Sequence, residues 1–326
     1  LTLLGSSVTA PIPCCHNDNP HANQYVNKQA FACLGADGSV RAWGSSSAGG
    51  SGAPTGTGFT RIFSSTNAFA ALADDGSIRA WGGSSYQQDS PPTKAGFVSI
   101  ASTMFAFAAL NSDGEISAWG LSSYGGSGAP TDFGYVAIYS TQYAFVAVHD
   151  SGRLAAWGYR LYGGVGPPAG NRFNTATIVS NPYAFAALTP DGSIYSWGSA
   201  THGGSGGPVG GGHTALAANK YAFAALTADG SVRSWGLSTY SRGAPSGSGF
   251  VTIVPSMTSF VAIKGDGTLA QWGSGYAGQS APAGDGFSAV VGNEYAFAAL
   301  NEGYISAWGQ KVMGGAGPLE EEATLG

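Results

Sequence analysis

The chain of 326 residues has few charged side chains, and this scarcity excludes several classes of partner. Asp, Glu, Lys and Arg make up 10% of the residues, the formal net charge is −5, and no stretch is a Lys/Arg block. Proteins that grip phosphate backbones do so with clustered cations, so we expect no nucleic-acid partner. No apolar run approaches the roughly 20 residues that a membrane-spanning helix needs, so we expect no membrane insertion.

Cysteine is scarce as well, and the three cysteines lie near the N-terminus at positions 14, 15 and 33. A bridge between adjacent residues is strained, so the candidate disulfide joins Cys14 or Cys15 to Cys33. The alternative is that Cys33 fills a small core position. His16 and His21 lie close to Cys14 and Cys15, but the adjacent cysteines lack the spacer that is usual in zinc sites. The sequence therefore predicts no metal site and no cofactor.

Signals for N-linked glycosylation are missing, because Asn-x-Ser/Thr does not occur. O-linked sugars on the Ser/Thr-rich loops would still make the chain a glycoprotein. The chain begins at Leu1 without Met, so we expect that any signal peptide has been removed or lies outside this sequence. Low charge with abundant Ser, Thr, Gly and Tyr favours an extracellular or cell-surface location.

Aromatic residues, in contrast, recur with a regular period. Eight tryptophans are spaced 36 to 40 residues apart, and each follows a phenylalanine by 12 residues, or by 11 in the last copy. Such self-similarity is the signature of a tandem repeat. The predicted structural core of the repeats consists of Phe31, Phe69, Phe107, Phe145, Phe185, Phe223, Phe260, Phe297, Trp43, Trp81, Trp119, Trp157, Trp197, Trp235, Trp272 and Trp308.

Each copy reads as short β-strands. Phe107-Ala-Ala-Leu110 and Ile116-Ser-Ala-Trp119 flank an Asp-Gly turn, which is a strong hairpin signal, and Phe97-Val-Ser-Ile100 supplies a third strand. Phe and the second Ala share one face, while the first Ala and Leu share the other, so the strand is apolar on both sides. The sequence predicts an all-β fold: an eight-bladed β-propeller of eight repeats of about 38 residues, with an open superhelix of the same repeats as the alternative.

The two ends interrupt the repetition. Aligning residues 1–7 with residues 59–65 makes the first copy begin at Leu1. The alignment predicts a single propeller domain over residues 1–318, with an insertion at about 9–28 in the first copy. A C-terminal acidic tail follows at 319–326.

The repeat Ala225-Leu226-x-x-Asp229-Gly230-x-Val232-x-x-Trp235-Gly236 resembles that of the regulator-of-chromosome-condensation propellers. Its short period is closer to the secreted bacterial β-lactamase-inhibitor propellers of that superfamily. The resemblance covers nearly the whole chain and implies three or four strands per blade and a central channel. Those relatives typically have seven blades, and their Gly-x-x-His is absent here, so neither exchange-factor nor inhibitor contacts carry over.

Chemistry-bearing clusters are missing from the sequence. The carboxylates are mostly those of Asp-Gly turns, where capping the turn backbone is the ordinary role. No nucleophile–base pair can be singled out, so we expect no catalytic residues and no enzymatic activity.

Two sets of tyrosines remain as candidate binding residues. They are either a protein- or sugar-contacting surface or shields of the blade edges. The predicted binding rim follows the repeat tryptophans by four or five residues and comprises Tyr86, Tyr124, Tyr162, Tyr240 and Tyr276. A second predicted ring precedes the Ala-Phe strands and comprises Tyr143, Tyr183, Tyr221 and Tyr295.

These observations favour a non-enzymatic extracellular structural or interaction protein, such as the repeating subunit of a filament or surface assembly. Its partners would be copies of itself or other extracellular proteins, with glycans as a further option. The alternative is a secreted binding module, either a lectin or a protein inhibitor, that uses the tyrosine-rich rims. An exchange factor for a small GTPase is the least favoured hypothesis.

Overall fold

The computed structural model describes residues 27–86, 88, 90–173, 175–274 and 280–315. These residues form short β-strands joined by glycine-rich turns. The chain divides into two compact units, residues 1–145 and 146–326. The predicted insertion, apart from Asn27 and Lys28, and the acidic tail lie outside the described residues, and the single domain over 1–318 stays a prediction.

In the first unit, neighbouring strands pair antiparallel within sheets, and each sheet is formed by one copy of the repeat. The first sheet has two described strands and the next two sheets have three each. Their strands are β1 (Ala30–Leu34), β2 (Val40–Gly44), β3 (Phe59–Ser64), β4 (Ala68–Ala73), β5 (Ile78–Gly82), β6 (Phe97–Ser102), β7 (Ala106–Asn111) and β8 (Ile116–Gly120).

The fourth sheet has the order β9-β10-β11, and the division between the units falls inside its middle strand. Its strands are β9 (Tyr135–Ser140), β10 (Ala144–His149) and β11 (Leu154–Gly158). Four further three-stranded sheets belong to the second unit. They are formed by β12 (Thr177–Ser180), β13 (Ala184–Leu188), β14 (Ile194–Gly198), β15 (His213–Ala218), β16 (Ala222–Thr227), β17 (Val232–Gly236), β18 (Phe250–Pro255), β19 (Ser259–Lys264), β20 (Leu269–Gly273), β21 (Phe287–Gly292), β22 (Ala296–Asn301) and β23 (Tyr304–Gly309).

Among the described residues, helix is limited to single turns in the loops that follow the repeat tryptophans. None of the helices among the described residues is long and apolar enough to cross a membrane. One turn is α-helical, α1 (Ser238–Ser241), and the 3-10 turns are Ser46–Ala48, Ser84–Tyr86, Ser122–Tyr124, Arg160–Tyr162, Ala200–His202 and Lys311–Met313. The prediction of an all-β fold with eight repeated sheets of the propeller-blade type is confirmed.

Strand register explains the fixed spacing of Phe and Trp. Phe107 lies directly opposite Trp119 on the neighbouring strand, and their rings stack with centroids 5.2 Å apart. In the last copy the spacing is one residue shorter because the hairpin turn has only two residues, Glu302 and Gly303, both at positive φ. Two-residue turns of this kind match the right-handed twist of hairpins.

Both faces of the middle strand are buried between sheets of successive copies. On β4, Phe69 and Ala71 pack in one cluster with β1, while Ala70 and Leu72 pack in another cluster with Phe107 of the following copy. This is the arrangement that the alternation of Phe and Ala predicts. Small residues at these positions allow the sheets to approach closely.

The predicted core residues fall into two groups. In seven copies the phenylalanine is at most 2% exposed and the tryptophan at most 6%. In the first copy the pair departs from the prediction, because Phe31 is 61% and Trp43 is 50% exposed. These two rings still stack, with centroids 5.6 Å apart, but no other described residue buries them.

Candidate functional site

The aspartates of the Asp-Gly turns accept hydrogen bonds from the backbone of their own turns. In five turns Oδ1 accepts a hydrogen bond from the backbone N–H two residues further on, at 2.7 to 3.1 Å: Asp37, Asp75, Asp191, Asp229 and Asp266. The donated bonds lower the pKa of Asp229, with the Thr227 hydroxyl as the largest cause. At Asp113 the arrangement differs, because Asn111 accepts the corresponding N–H of Glu115. These carboxylates cap turns and do not converge on a shared site.

The candidate disulfide stays a prediction, and so does the expectation that the chain has no metal site. Cys33 lies half-buried on β1 opposite Arg41, whereas Cys14 and Cys15 fall outside the described residues. The same is true of His16 and His21. Over the described part of the chain, no group of three or more His, Cys, Asp or Glu side chains is placed to hold a metal ion.

Aromatic side chains form a continuous row in the first unit. Tyr86 stacks on Phe105 with centroids 4.3 Å apart, and Phe105 meets Tyr124 edge-on at 5.0 Å. Tyr124 then contacts Tyr143 at 5.2 Å. This first aromatic row alternates residues that follow a repeat tryptophan with residues that precede a repeat phenylalanine.

A second aromatic row occupies the second unit. Tyr162 contacts Tyr183 with centroids 5.2 Å apart, and Tyr183 contacts His202 at 4.3 Å. Tyr221 follows His202 at 5.9 Å and contacts Tyr240 at 4.4 Å. All five side chains are half-buried, so each keeps part of its ring open to solvent.

The two predicted sets of tyrosines are therefore interleaved, where the sequence predicted two separate rims. Phe105 and His202 belong to the rows although they were not predicted, because the repeat position is not always tyrosine. Burial lowers the pKa of His202, so its imidazole is neutral near pH 7 and joins the row as an uncharged ring. Tyr276 lies outside the described residues.

Buried amides fix the backbone of the second row. The Asn181 side chain accepts the N–H of Tyr183 at 2.9 Å and donates to the carbonyl of His202 at 2.8 Å. Asn219 accepts the N–H of Tyr221 at 2.9 Å and donates to the carbonyl of Tyr240 at 3.1 Å. These amides were not predicted; their signal in the sequence is a polar residue four positions before a repeat phenylalanine.

The aromatic row is broken at Thr258, which occupies the repeat position held by Tyr221 in the preceding copy. Its small side chain leaves a groove of about 500 Å³ between Tyr240 and Tyr295, with Met313 and Lys220 also lining it. A cavity of this size, mostly aromatic and apolar with a few polar groups, is typical of ligand sites. Thr258 is only 6% exposed, and among the described residues its Oγ1 has no hydrogen-bond partner.

Of the described residues that line this groove, Lys220 is the one with a cationic side chain. Its Nζ lies 5.2 Å from the Tyr221 ring centroid, a cation–π distance. A hydrogen bond with the Tyr221 side chain is the main cause that raises the pKa of Lys220, so the amine stays charged at neutral pH. The groove thus combines aromatic walls, a positive charge and a buried hydroxyl that a ligand could satisfy.

No family model matches the chain. No curated protein matches it either. Among solved structures, the chain is similar to the CRINKLY WD40 ectodomain of the Arabidopsis thaliana receptor kinase ACR4, with 16% identity, a TM-score of 0.46, and coverage of 89% of this chain and 95% of that one. It is also similar to the ectodomain of the Physcomitrella patens receptor kinase CR4, with 20% identity, a TM-score of 0.44, and coverage of 74% and 69%.

A further similar structure is Prp20p from Saccharomyces cerevisiae, the yeast RCC1, which is described as binding Gsp1p and histones. The identity is 16%, the TM-score is 0.44, and the match covers 88% of this chain and 82% of that chain. An RCC1 propeller, the family that the repeat resembles in sequence, is thus among the matched structures.

Proposed function

We propose that this chain is a non-enzymatic protein-interaction module that binds a protein partner along its aromatic rows, with the groove over Thr258 as the anchoring point. The observation that carries the proposal is the groove itself. It interrupts a row of half-buried tyrosines and contains a buried hydroxyl that has no hydrogen-bond partner among the described residues. Tyrosines that are already packed lose little conformational entropy on binding, and such residues dominate binding energy at interfaces.

The chemistry of the groove suits an acidic or amide-bearing side chain next to an aliphatic or aromatic one. Lys220 supplies a charge for a carboxylate, and the Thr258 hydroxyl supplies a hydrogen bond. Tyr240 and Tyr295 supply flat apolar walls. Catalysis is not part of the proposal, because the turn carboxylates are already engaged with the backbone.

The setting that we propose is extracellular, with the chain acting as a subunit of a surface assembly or filament. Low charge and a surface rich in Ser, Thr, Gly and Tyr support this setting. O-linked sugars on the loops are part of the same proposal.

The test compares the immobilised chain with variants in the capture of proteins from the secreted fraction of the source organism, quantified by mass spectrometry. Tyr295→Ser should lose the partner, because it removes one wall of the groove. Tyr304→Ser is the matched control, since Tyr304 is 64% exposed and lies at the opposite end of the same sheet. If Tyr295→Ser captures the same set of proteins as the unaltered chain, the proposal is refuted.

A second candidate is carbohydrate binding, which the stacked tyrosines also favour, since flat aromatic faces give contact area to sugar rings. A glycan array probed with the same two variants separates the alternatives. If the unaltered chain binds defined glycans and Tyr295→Ser abolishes that binding, the groove binds a carbohydrate and the protein-partner proposal is wrong. An inhibition assay with β-lactamases tests the inhibitor form of the binding-module hypothesis.

A further inference from the structure

One repeat tryptophan of the second unit, Trp197, carries a buried hydrogen-bond donor that is not satisfied. At two equivalent positions the donor has an acceptor: the Nε1–H of Trp81 donates to the carbonyl of Gly49 at 2.9 Å, and that of Trp235 to the carbonyl of Gly203 at 3.0 Å. Trp197 is 4% exposed, and its Nε1–H has no partner among the described residues. Such a donor is rare because it costs free energy, which a ligand that supplies an acceptor would recover.

The loop of the copy before Trp197 ends its helical turn in a different way. At Gly203 the backbone N–H donates to the carbonyl of Ala200 at 3.4 Å and closes the turn. The turn Arg160–Tyr162 ends at Gly163 with φ of 103° and ψ of 1°, and in the described part of the chain no such bond closes it. The carbonyl of Gly163 does not accept the indole N–H of Trp197, so the donor stays open.

Trp197 also lines a cleft of about 640 Å³ between the loops of two successive copies, both in the second unit. The first loop contributes two apolar side chains, Leu161 and Val165, which are 63% and 48% exposed. The second loop contributes the hydroxyls of Ser199 and Thr201, whose oxygens lie 3.1 Å apart. A cleft of this size, with apolar walls and a few polar groups, suits a small organic ligand.

The side chains that the first loop places in the cleft depart from the repeat. Arg160, Leu161 and Val165 stand where other copies have small residues. The equivalents are Ser46, Ser47 and Ser51 in the first copy, Ser122, Ser123 and Ser127 in the third, and Ala200, Thr201 and Ser205 in the fifth. Arg160 is exposed, and no ion pair among the described residues includes it. One copy therefore combines a cation, two apolar side chains and an open buried donor.

We propose that this cleft binds a small organic acid, that is, a carboxylate with an aliphatic or aromatic body. The carboxylate accepts a hydrogen bond from the Nε1–H of Trp197 and pairs with the guanidinium of Arg160, while the body lies against Leu161 and Val165. An indole N–H and a guanidinium can donate but not accept, so the group that satisfies both is an acceptor with negative charge. The inference goes beyond the proposed function, because it uses neither Lys220 nor the groove that Lys220 lines.

The depth of the donor favours a free acid over an acidic side chain of a protein partner. Trp197 is almost completely buried, so only a slender group reaches its Nε1–H. The terminal carboxylate of a free acid can enter the cleft and carry its body in behind it. A protein partner would have to insert a whole loop between the two loops that form the cleft.

The experiment is a titration of the full ¹⁵N-labelled chain with hexanoate, octanoate and 3-phenylpropanoate, followed by the indole N–H resonances in nuclear magnetic resonance spectra. The variant Trp197→Phe identifies the Trp197 resonance by its loss. That resonance should shift saturably with at least one of the acids, whereas the resonance of Trp235 should stay in place. Arg160→Gln should weaken binding by about tenfold or more, because a hydrogen bond to a charged group is lost.

Matched controls separate the cleft from general effects. Trp235→Phe removes an indole N–H that already donates to Gly203, so it should leave acid binding unchanged. Arg233→Gln removes an exposed cation outside the cleft and should do the same. Among ligands, 1-hexanol and 1-octanol lack the carboxylate, and sulfate lacks the apolar body. Each of these ligands should bind more weakly than the acids by about tenfold or more.

Several results would overturn the proposal. The first is a Trp197 resonance that none of the acids shifts. The second is equal binding of the alcohols, and the third is unchanged affinity of Arg160→Gln while circular dichroism shows that the variant is folded. If the acids do not bind but Arg160→Gln loses proteins that the unaltered chain captures, the cleft binds a protein instead. Tyr295→Ser should leave acid binding unchanged, so this proposal and the proposed function fail separately.

Discussion

The uneven burial of the eight Phe–Trp pairs makes one substitution behave differently at two equivalent positions. Phe107→Ala removes a ring that is fully buried between sheets, so the free energy of unfolding should fall by about 3–5 kcal/mol, the usual result for a buried phenylalanine. Phe31→Ala removes a ring that is 61% exposed and retains only its stacking on Trp43, so the fall should be about 1 kcal/mol. The difference of roughly 2–4 kcal/mol comes from the cover of the preceding copy.

Urea unfolding, followed by both tryptophan fluorescence and far-ultraviolet circular dichroism, measures this difference. Long repeat arrays can unfold in more than one step, so the two probes must coincide before free energies are compared. Equal losses of stability for the two variants would refute the reasoning, because they would mean that the first pair is as well covered as the third.

Further predictions follow from the turns and the groove. Gly114→Ala should lower the urea midpoint of unfolding more than Gly206→Ala. Both glycines have φ of 79°, so the backbone strain of the substitution is similar. A Cβ at 114 would lie 2.6 Å from the backbone nitrogen of Gly134, whereas a Cβ at 206 would meet no atom within 4 Å. The pKa values of Asp191 and Asp229 are lowered in the folded chain, so their contribution to stability is present above the unfolded pKa of about 4 and is lost as pH falls through the folded values. The thermal midpoint should accordingly drop below pH 4, and Asp229→Asn should flatten that drop. Thr258→Val should leave the urea midpoint unchanged or raise it, because its hydroxyl has no partner among the described residues, and a fall of the midpoint would indicate an unseen hydrogen bond.

The features that repeat in every copy were predictable from the sequence. A constant interval between Phe and Trp signals strand register, since residues opposite each other across a hairpin keep a fixed separation. The alternation of Phe and Ala correctly predicted that both faces of β4 are buried, because successive side chains on a strand point to opposite sides. The turn-capping role of Asp75 followed from Asp-Gly chemistry in the same way.

Other features depended on how copies stack. The aromatic rows join a residue after one tryptophan, such as Tyr124, to a residue before the next phenylalanine, such as Tyr143, and only the distance between sheets decides that these meet. Phe105 and His202 were not predicted because they replace the tyrosine that other copies carry at the same repeat position. Exposure of Phe31 could not be predicted from the repeat pattern either, since every copy contains the same residues and only the neighbours differ.

Solvent access to the eight tryptophans, which all lie within the described residues, tests the account most directly. Hydroxyl-radical footprinting of the chain, read by mass spectrometry, should oxidise Trp43 far faster than Trp81 or Trp119. Rapid oxidation of several tryptophans would contradict the stacking of copies. Protection of Trp43 equal to that of the other seven tryptophans would contradict the exposure of the first aromatic pair.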